Sequence, residues 1–454
     1  MASLAQQRVR VAFPAAPAEP QAAFATPVAL FFLAVMMPSE LAINFFGAAL
    51  IPVRVLLLAL FVPALMRLLN DSDFRLQAFD VLVVLSLAWL LFALVSNNGL
   101  DKGTKFGGGL VLEALGGYLL ARAYVRTCAQ FADAVRAYLL FIAIAAAIAI
   151  PETFFGGRFV HEAASAISGV PLSGLAKEAP RLGLARAESS FDHPILYGAF
   201  CASALGLAWY LLHGQPRRWL VAAGIGFATL CSVSSAPLLG CALIGAFAAW
   251  EYATRGMRWR VAVLLAVLAA AYAALEAASN RGMHEVLINL VALDSKTAYY
   301  RVLIWQYATH DLASNPWTGV GLDAWTREKW MTTSIDSFWL YIALMGGVPV
   351  IVFLAAGIAL LMRRAHRRDG VESPERWRAR MGWTATLLAV FLQAFTVHYW
   401  SSMNAWFFFL LGLGAWLTDS RDGIRAPSAS PAQPATKALP GRAMRRRRAL
   451  ILEG

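Results

Sequence analysis

Residues 137–151 read Ala137-Tyr138-Leu139-Leu140-Phe141-Ile142-Ala143-Ile144-Ala145-Ala146-Ala147-Ile148-Ala149-Ile150-Pro151, without a single charge. Together with residues 131–136 they supply about 20 helical residues at about 1.5 Å each, enough to cross a hydrocarbon core of about 30 Å. Comparable stretches fall near 24–38, 48–68, 77–96, 107–123, 193–212, 217–235, 236–253, 259–277, 337–362, 381–398 and 403–418. The chain is 59% hydrophobic and 15% charged, whereas soluble domains run nearer about a quarter charged. The expectation is an all-α, polytopic integral membrane protein of about twelve transmembrane helices.

The formal charge of +12 raises the question of nucleic acid. Under a twelve-helix topology, however, most of the 39 basic residues lie on the side of the N-terminus. This is the bias of cytoplasmic loops, and it places both termini in the cytoplasm. Clusters such as Arg217-Arg218, Arg255/Arg258/Arg260, Arg363-Arg364 and Arg445 to Arg448 then face anionic headgroups rather than nucleic acid. Cys128, Cys201, Cys231 and Cys241 lie in or beside apolar stretches without CxxC spacing, which argues against a metal site or a disulfide frame. No cleavable signal precedes the first span, so it reads as an uncleaved anchor. Residues 1–23 and 419–454 have compositions that cannot bury apolar surface, and are expected to be disordered cytoplasmic tails around a membrane domain over 24–418.

Two outward loops, about 152–192 and about 278–336, are long enough to hold structure. In the second, Thr297 to Ala313 is expected to be a helix ending before Asn315-Pro316, because proline disfavours helical geometry in the residue ahead of it. Gly319 and Gly321 then permit a tight turn. Asp323 to Met331 is expected to form a short surface helix, with Trp325 and Trp330 suited to the interface. Ser334 is the expected N-cap of a helix starting near Ile335. The glycines between 99 and 117 lack the order of a phosphate loop, and are expected to serve close helix packing.

Arg301 is the leading candidate for chemistry, since a planar guanidinium above the membrane grips a diphosphate through two hydrogen bonds. The alternative is a surface arginine paired with Asp294 or Glu285. Trp305, one turn on, offers an indole face to a sugar or to that guanidinium. Asp336, at the entry of a late helix, is either a capping acid or a general base. In the first loop Arg181, Arg186, Glu188 and His193 arrive together near the start of a span; His193 is either a proton carrier or the cap of the helix beginning at Pro194. Arg54 and Glu113 lie at membrane depth, where an unpaired charge costs about 2.5–3.5 kcal/mol or more, so they either pair or line a polar cavity. Glu40, in an outward turn, is expected to be solvated.

Three stretches, taken in order, resemble a known family. They are Arg186…Phe191-Asp192-His193-Pro194-Ile195…Gly198, then Tyr300-Arg301…Trp305…Asn315-Pro316-Trp317-Thr318-Gly319-Val320-Gly321, then Asp336-Ser337-Phe338-Trp339…Gly347. With the hydropathy layout over 24–418, the chain resembles the integral-membrane O-antigen polymerases and ligases, above all the exopolysaccharide polymerase branch. The resemblance implies a glycosyltransferase of the bacterial inner membrane with a periplasmic active site. Its substrates would be undecaprenyl-diphosphate-linked donor and acceptor glycans, with no metal, cofactor or nucleotide sugar. It implies outward-loop arginines that hold the lipid diphosphate; the residues expected to carry the reaction here are Arg301, Asp336 and His193 as catalytic, and Arg186, Arg181, Glu188, Trp305, Tyr300 and Trp339 as substrate-binding. A copolymerase docked on the basic inner loops is the further expected partner. One departure counts against ligation: the ligase-like pattern opens its late helix with a histidine, where this chain has Asp336. Ligation to a lipid or protein acceptor, and transport of the same lipid-linked sugar, are the alternatives to polymerisation.

Overall fold

The computed structural model describes residues 26–45, 47–172, 179–257, 259–278, 295–322, 325–331, 333–367 and 372–419. Both expected tails lie outside these residues, except for Asp419. The helices are α1 (Thr26–Met36), α2 (Pro52–Leu69), α3 (Ala78–Asn98), α4 (Leu100–Tyr124), α5 (Cys128–Phe155), α6 (Phe159–Ser168), α7 (Pro194–Leu211), α8 (Arg217–Leu230), α9 (Ser235–Ala253), α10 (Arg260–Ala278), α11 (Ser295–Ser314), α12 (Phe338–Gly346), α13 (Val348–Ala365), α14 (Pro374–Gln393) and α15 (Ser402–Leu413). Among the described residues the only strands are the short hairpin Ile43–Phe45 with Ala48–Leu50. Among the described residues six helices, α2, α3, α5, α7, α9 and α13, are long and apolar enough to cross a membrane. The protein is therefore all-α and membrane-embedded.

Several expected boundaries shift. The stretch near 24–38 yields the 11-residue α1, and residues 48–50 belong to the hairpin, so α2 starts at Pro52. The stretch near 337–362 is interrupted at Gly347, between α12 and α13. The N-cap there is Ser337, whose side chain accepts from Leu340 N at 3.3 Å; Ser334 instead donates to Asp336. Of the helix expected from Asp323 to Met331, residues 325–331 are irregular, with a turn at Lys329 and Trp330, and 323–324 lie outside the described residues; Trp325 is buried.

Small residues bring the central helices together. A Cβ on Gly206 of α7 would meet Thr386 of α14 at 2.5 Å, and one on Gly117 of α4 would meet the Ala405 carbonyl of α15 at 2.2 Å. Such close approach gives membrane helices the dispersion contact that the hydrophobic effect does not supply in lipid. The expected packing role of the 99–117 glycines holds at Gly103, Gly107, Gly116 and Gly117, while Gly108 faces open space. None of the four cysteines is in a disulfide, and Cys201 and Cys231 are buried.

The break at Gly347 has a definite partner. Val320 N and Gly321 N donate to the Leu344 carbonyl at 2.8 and 3.2 Å, and Val348 N donates to the Pro316 carbonyl at 2.8 Å. From α3, Trp89 Nε1 reaches the Trp317 and Gly346 carbonyls, and Asn97 reaches those of Thr318 and Gly319. The Asn315–Gly321 turn thus supplies donors and acceptors to the end of a severed helix, satisfying groups that lipid could not. Gly347 sits at φ +77°, ψ −179°, a region essentially reserved for glycine, and its absent Cβ would lie 2.2 Å from the Trp317 carbonyl oxygen. Gly347→Ala is expected to cost at least about 1–3 kcal/mol of stability from backbone strain alone. Denaturant unfolding of the detergent-solubilised variant checks this, and an unchanged midpoint refutes it.

Candidate functional site

The loops joining α3 to α4, α5 to α7, α8 to α9, α11 to α12 and α14 to α15 gather at one end of the bundle. Ala187 N donates to the Cys231 carbonyl, tying the α5–α7 loop to the α8–α9 turn. Phe338 N donates to the carbonyls of Ala394 and Val397 at 2.9 and 3.0 Å, so the α14–α15 loop sits on the start of α12. Trp305 of α11 stacks on Phe395 of that loop, ring centres 6.3 Å apart. These contacts carry Arg301, one turn before Trp305, and Asp336, two residues before α12, into one neighbourhood.

Arg301 is only 4% exposed. Among the described residues its Nε has no hydrogen-bond partner and it has no ion pair within 4.0 Å; Asp294 and Glu285, its alternative partners, lie outside them. Burial pushes its pKa below the ordinary guanidinium value; the Asp336 carboxylate pulls it back up, and Arg181 pushes it further down. The structure therefore brings Arg301, Arg181 and Asp336 within electrostatic reach of one another. Asp336 is half-buried and accepts from Ser334 Oγ at 3.2 Å. The chain leaves an arginine almost wholly buried, its Nε unpartnered among the described residues, within electrostatic reach of a second arginine and a carboxylate. That costs free energy unless an anion completes it.

The other expected site residues sit differently. Trp339 is buried, donates to the Phe391 carbonyl, and packs on Phe338, Phe391 and Phe407. It is a core residue rather than a binding face, because its indole N–H is spent on that carbonyl and its ring is buried among phenylalanines. Trp305 stacks on Phe395 and not on Arg301. Tyr300 meets Trp330 edge-on and donates to its carbonyl. His193 caps α7, its Nδ1 accepting from Ile195 N at 3.0 Å, which is the structural one of its two expected roles. Arg186 donates to Ser234 Oγ at 3.0 Å.

Glu188 belongs to a buried network at the end of α5. It pairs with Arg158 at 2.8 Å, and burial raises its pKa while Arg158 opposes the rise. Glu152 Oε2 accepts from Glu188 N and Ser189 N at 3.1 and 2.7 Å, fixing Ser189 at φ +56°. His161 joins Glu40 Oε2 at 2.9 Å and the Phe191 carbonyl at 3.0 Å. Glu40 is 1% exposed, so the expectation that it is solvated was wrong: α6 folds back over the Ser39–Leu41 turn and seals it. Sequence reasoning passed over Glu152, Arg158 and His161. The one available signal was Glu152 directly after the apolar run ending at Pro151.

Deeper in the bundle, Arg54 Nε pairs with Glu113 Oε1 at 2.8 Å, and Asn404 donates to Glu113 Oε2 at 3.0 Å. Gly109 makes room, since a Cβ there would meet the Arg54 guanidinium carbon at 3.0 Å. The two charges do pair, as one of their expected alternatives required. A row of rings, His193, Trp400, His398 and Tyr341, runs across the same end.

No protein-family model matches the chain, and no curated protein matches it.

Proposed function

We propose that the protein is a membrane glycosyltransferase that polymerises undecaprenyl-diphosphate-linked repeat units. In this reading twelve spans leave both termini in the cytoplasm and the loop-rich end in the periplasm of a bacterial inner membrane. The observation that carries it is Arg301: a buried guanidinium whose Nε has no partner among the described residues, within electrostatic reach of Arg181 and Asp336, suits a diphosphate. The attacking hydroxyl of the acceptor glycan forms a bond to the anomeric carbon of the donor. The bond from that carbon to the diphosphate oxygen breaks, and undecaprenyl diphosphate leaves. Arg301 and Arg181 offset the charge that accumulates on the leaving oxygen. Asp336 takes the hydroxyl proton. The reaction needs no nucleotide sugar, because the diphosphate already activates the donor.

A transport reading has one observation of its own, the helix broken at Gly347, since interrupted helices form binding sites in transporters. That break is filled by the Asn315–Gly321 turn, which favours the enzyme. The deciding experiment is full-length protein in lipid vesicles with lipid-linked repeat units and no nucleotide sugar, followed by sizing of the product. A ladder of lengths is expected. A single transfer to a separate acceptor identifies a ligase, and translocation without growth identifies a transporter; either outcome ends the polymerase assignment.

A further inference from the structure

The opposite end of the bundle holds a cavity that the proposed reaction leaves unused. α7, α8 and α9 enclose about 710 Å³ there, within the range of about 300–1,000 Å³ found for small-molecule sites. Its wall is apolar, built from Leu205, Ile244 and Ala248, and its mouth is framed by Trp209, Arg218 and Trp219. The Arg218 guanidinium lies 4.3 Å from the centre of the Trp209 ring and 5.2 Å from that of Trp219. Its hydrogen bond goes to His213 Nδ1 at 3.2 Å. Burial, together with Arg218, Arg255 and Arg378, keeps His213 below its ordinary pKa, so the ring is a neutral acceptor. Among the described residues no carboxylate pairs with Arg218. The acid that lines the cavity, Glu251, is held by Arg255 through two bonds of 3.1 Å.

The mouth therefore carries a cation with no carboxylate partner among the described residues, held between two indoles, above a hydrocarbon-lined groove. A soluble anion would satisfy the cation and leave the groove bare; a neutral lipid would do the reverse. An amphiphile with an anionic head satisfies both, and basic pockets between membrane helices are known to take such headgroups. Trp219, 63% exposed, is the kind of side chain that settles at the headgroup level. We propose that this groove binds one anionic phospholipid, its phosphodiester on Arg218 and an acyl chain along the α7–α9 wall. The proposal rests on membrane embedding alone and stands or falls separately from the glycosyltransferase reading.

The test is native mass spectrometry of the full-length protein in detergent with added phosphatidylglycerol or phosphatidylcholine. One phosphatidylglycerol is expected to be retained, and Arg218→Gln is expected to weaken its retention about tenfold, the loss of one charge-assisted contact. Gly245→Phe fills the groove from a position whose Cβ direction is open. It leaves Arg218 in place and is expected to exclude the lipid, so it decides the matter even if the Arg218 variant fails to fold. Wild-type retention of phosphatidylglycerol by either folded variant overturns the proposal. So does equal retention of phosphatidylcholine, or displacement of the lipid by inorganic phosphate.

Discussion

Arg301→Ala is expected to lower the rate of chain growth by about 10²–10³, the loss seen when one fixed donor is removed from a developing negative charge. Arg301 has no carboxylate within 4.0 Å among the described residues, so truncating it strands no buried acid. The variant should therefore insert and unfold like the parent. Lysine at this position is not expected to restore growth, because an ammonium lacks the planar fork that meets two phosphate oxygens at once. Asp336→Asn keeps the shape and removes the base. It is expected to cost about 10²-fold or more at neutral pH, with loss in kcat rather than KM. The measurement is the length distribution of polymer made by purified variants in vesicles, alongside their unfolding midpoints. Long polymer from the Arg301→Ala protein would remove the residue from the mechanism and with it the reading of the site.

The helical architecture was legible because burial in lipid leaves a one-dimensional trace: each backbone group must bond within its own helix, so apolar runs of the right length announce themselves. Arg301, Asp336 and the Asn315–Gly321 turn were legible as a group because each interrupts that trace with a feature lipid does not tolerate. What the turn does was not legible. Its glycines read only as permitting a tight turn, yet Gly319 lies where a Cβ would meet the Leu344 carbonyl at 2.1 Å, so they also serve close docking on a broken helix. The Glu40–His161 contact spans 121 positions and the Arg158–Glu188 pair 30, with no periodicity linking their members. Glu40 read as a solvated acid and Glu188 as a substrate contact, where the fold makes buried bonds. Trp339 misled for the opposite reason, since an aromatic at a helix start looks the same whether it faces a ligand or the Phe391 ring.

Those failures show where charge burial is hidden from sequence, and the largest stability effect is expected at the most hidden case. Asp80, at the third position of α3, accepts from Gln77 N at 2.8 Å and so closes the helix start. Arg122, near the end of α4, donates to both its oxygens at 3.0 and 2.9 Å, and the Tyr118 hydroxyl donates as well. The side chains are 4% and 5% exposed, and the Phe74 and Phe79 rings each lie 5.4 Å from the guanidinium. Arg122→Ala leaves a carboxylate enclosed and short of two charge-assisted bonds, at an expected cost of about 3–5 kcal/mol. Replacing both Asp80 and Arg122 by leucine is expected to recover most of that loss, because the cost lies in stranding one charge and not in lacking the pair. The unfolding free energies of the parent, Arg122→Ala and the double variant measure this directly. A double variant no more stable than Arg122→Ala would mean that the pair itself, rather than the avoided desolvation, holds α3 against α4. Polymer formed per folded molecule is expected to stay at the parent level in the double variant. The pair joins the first turn of α3 to the last turn of α4, the helix ends remote from Asn98 and Leu100, so growth tracks the folded fraction here and is lost without unfolding at Arg301.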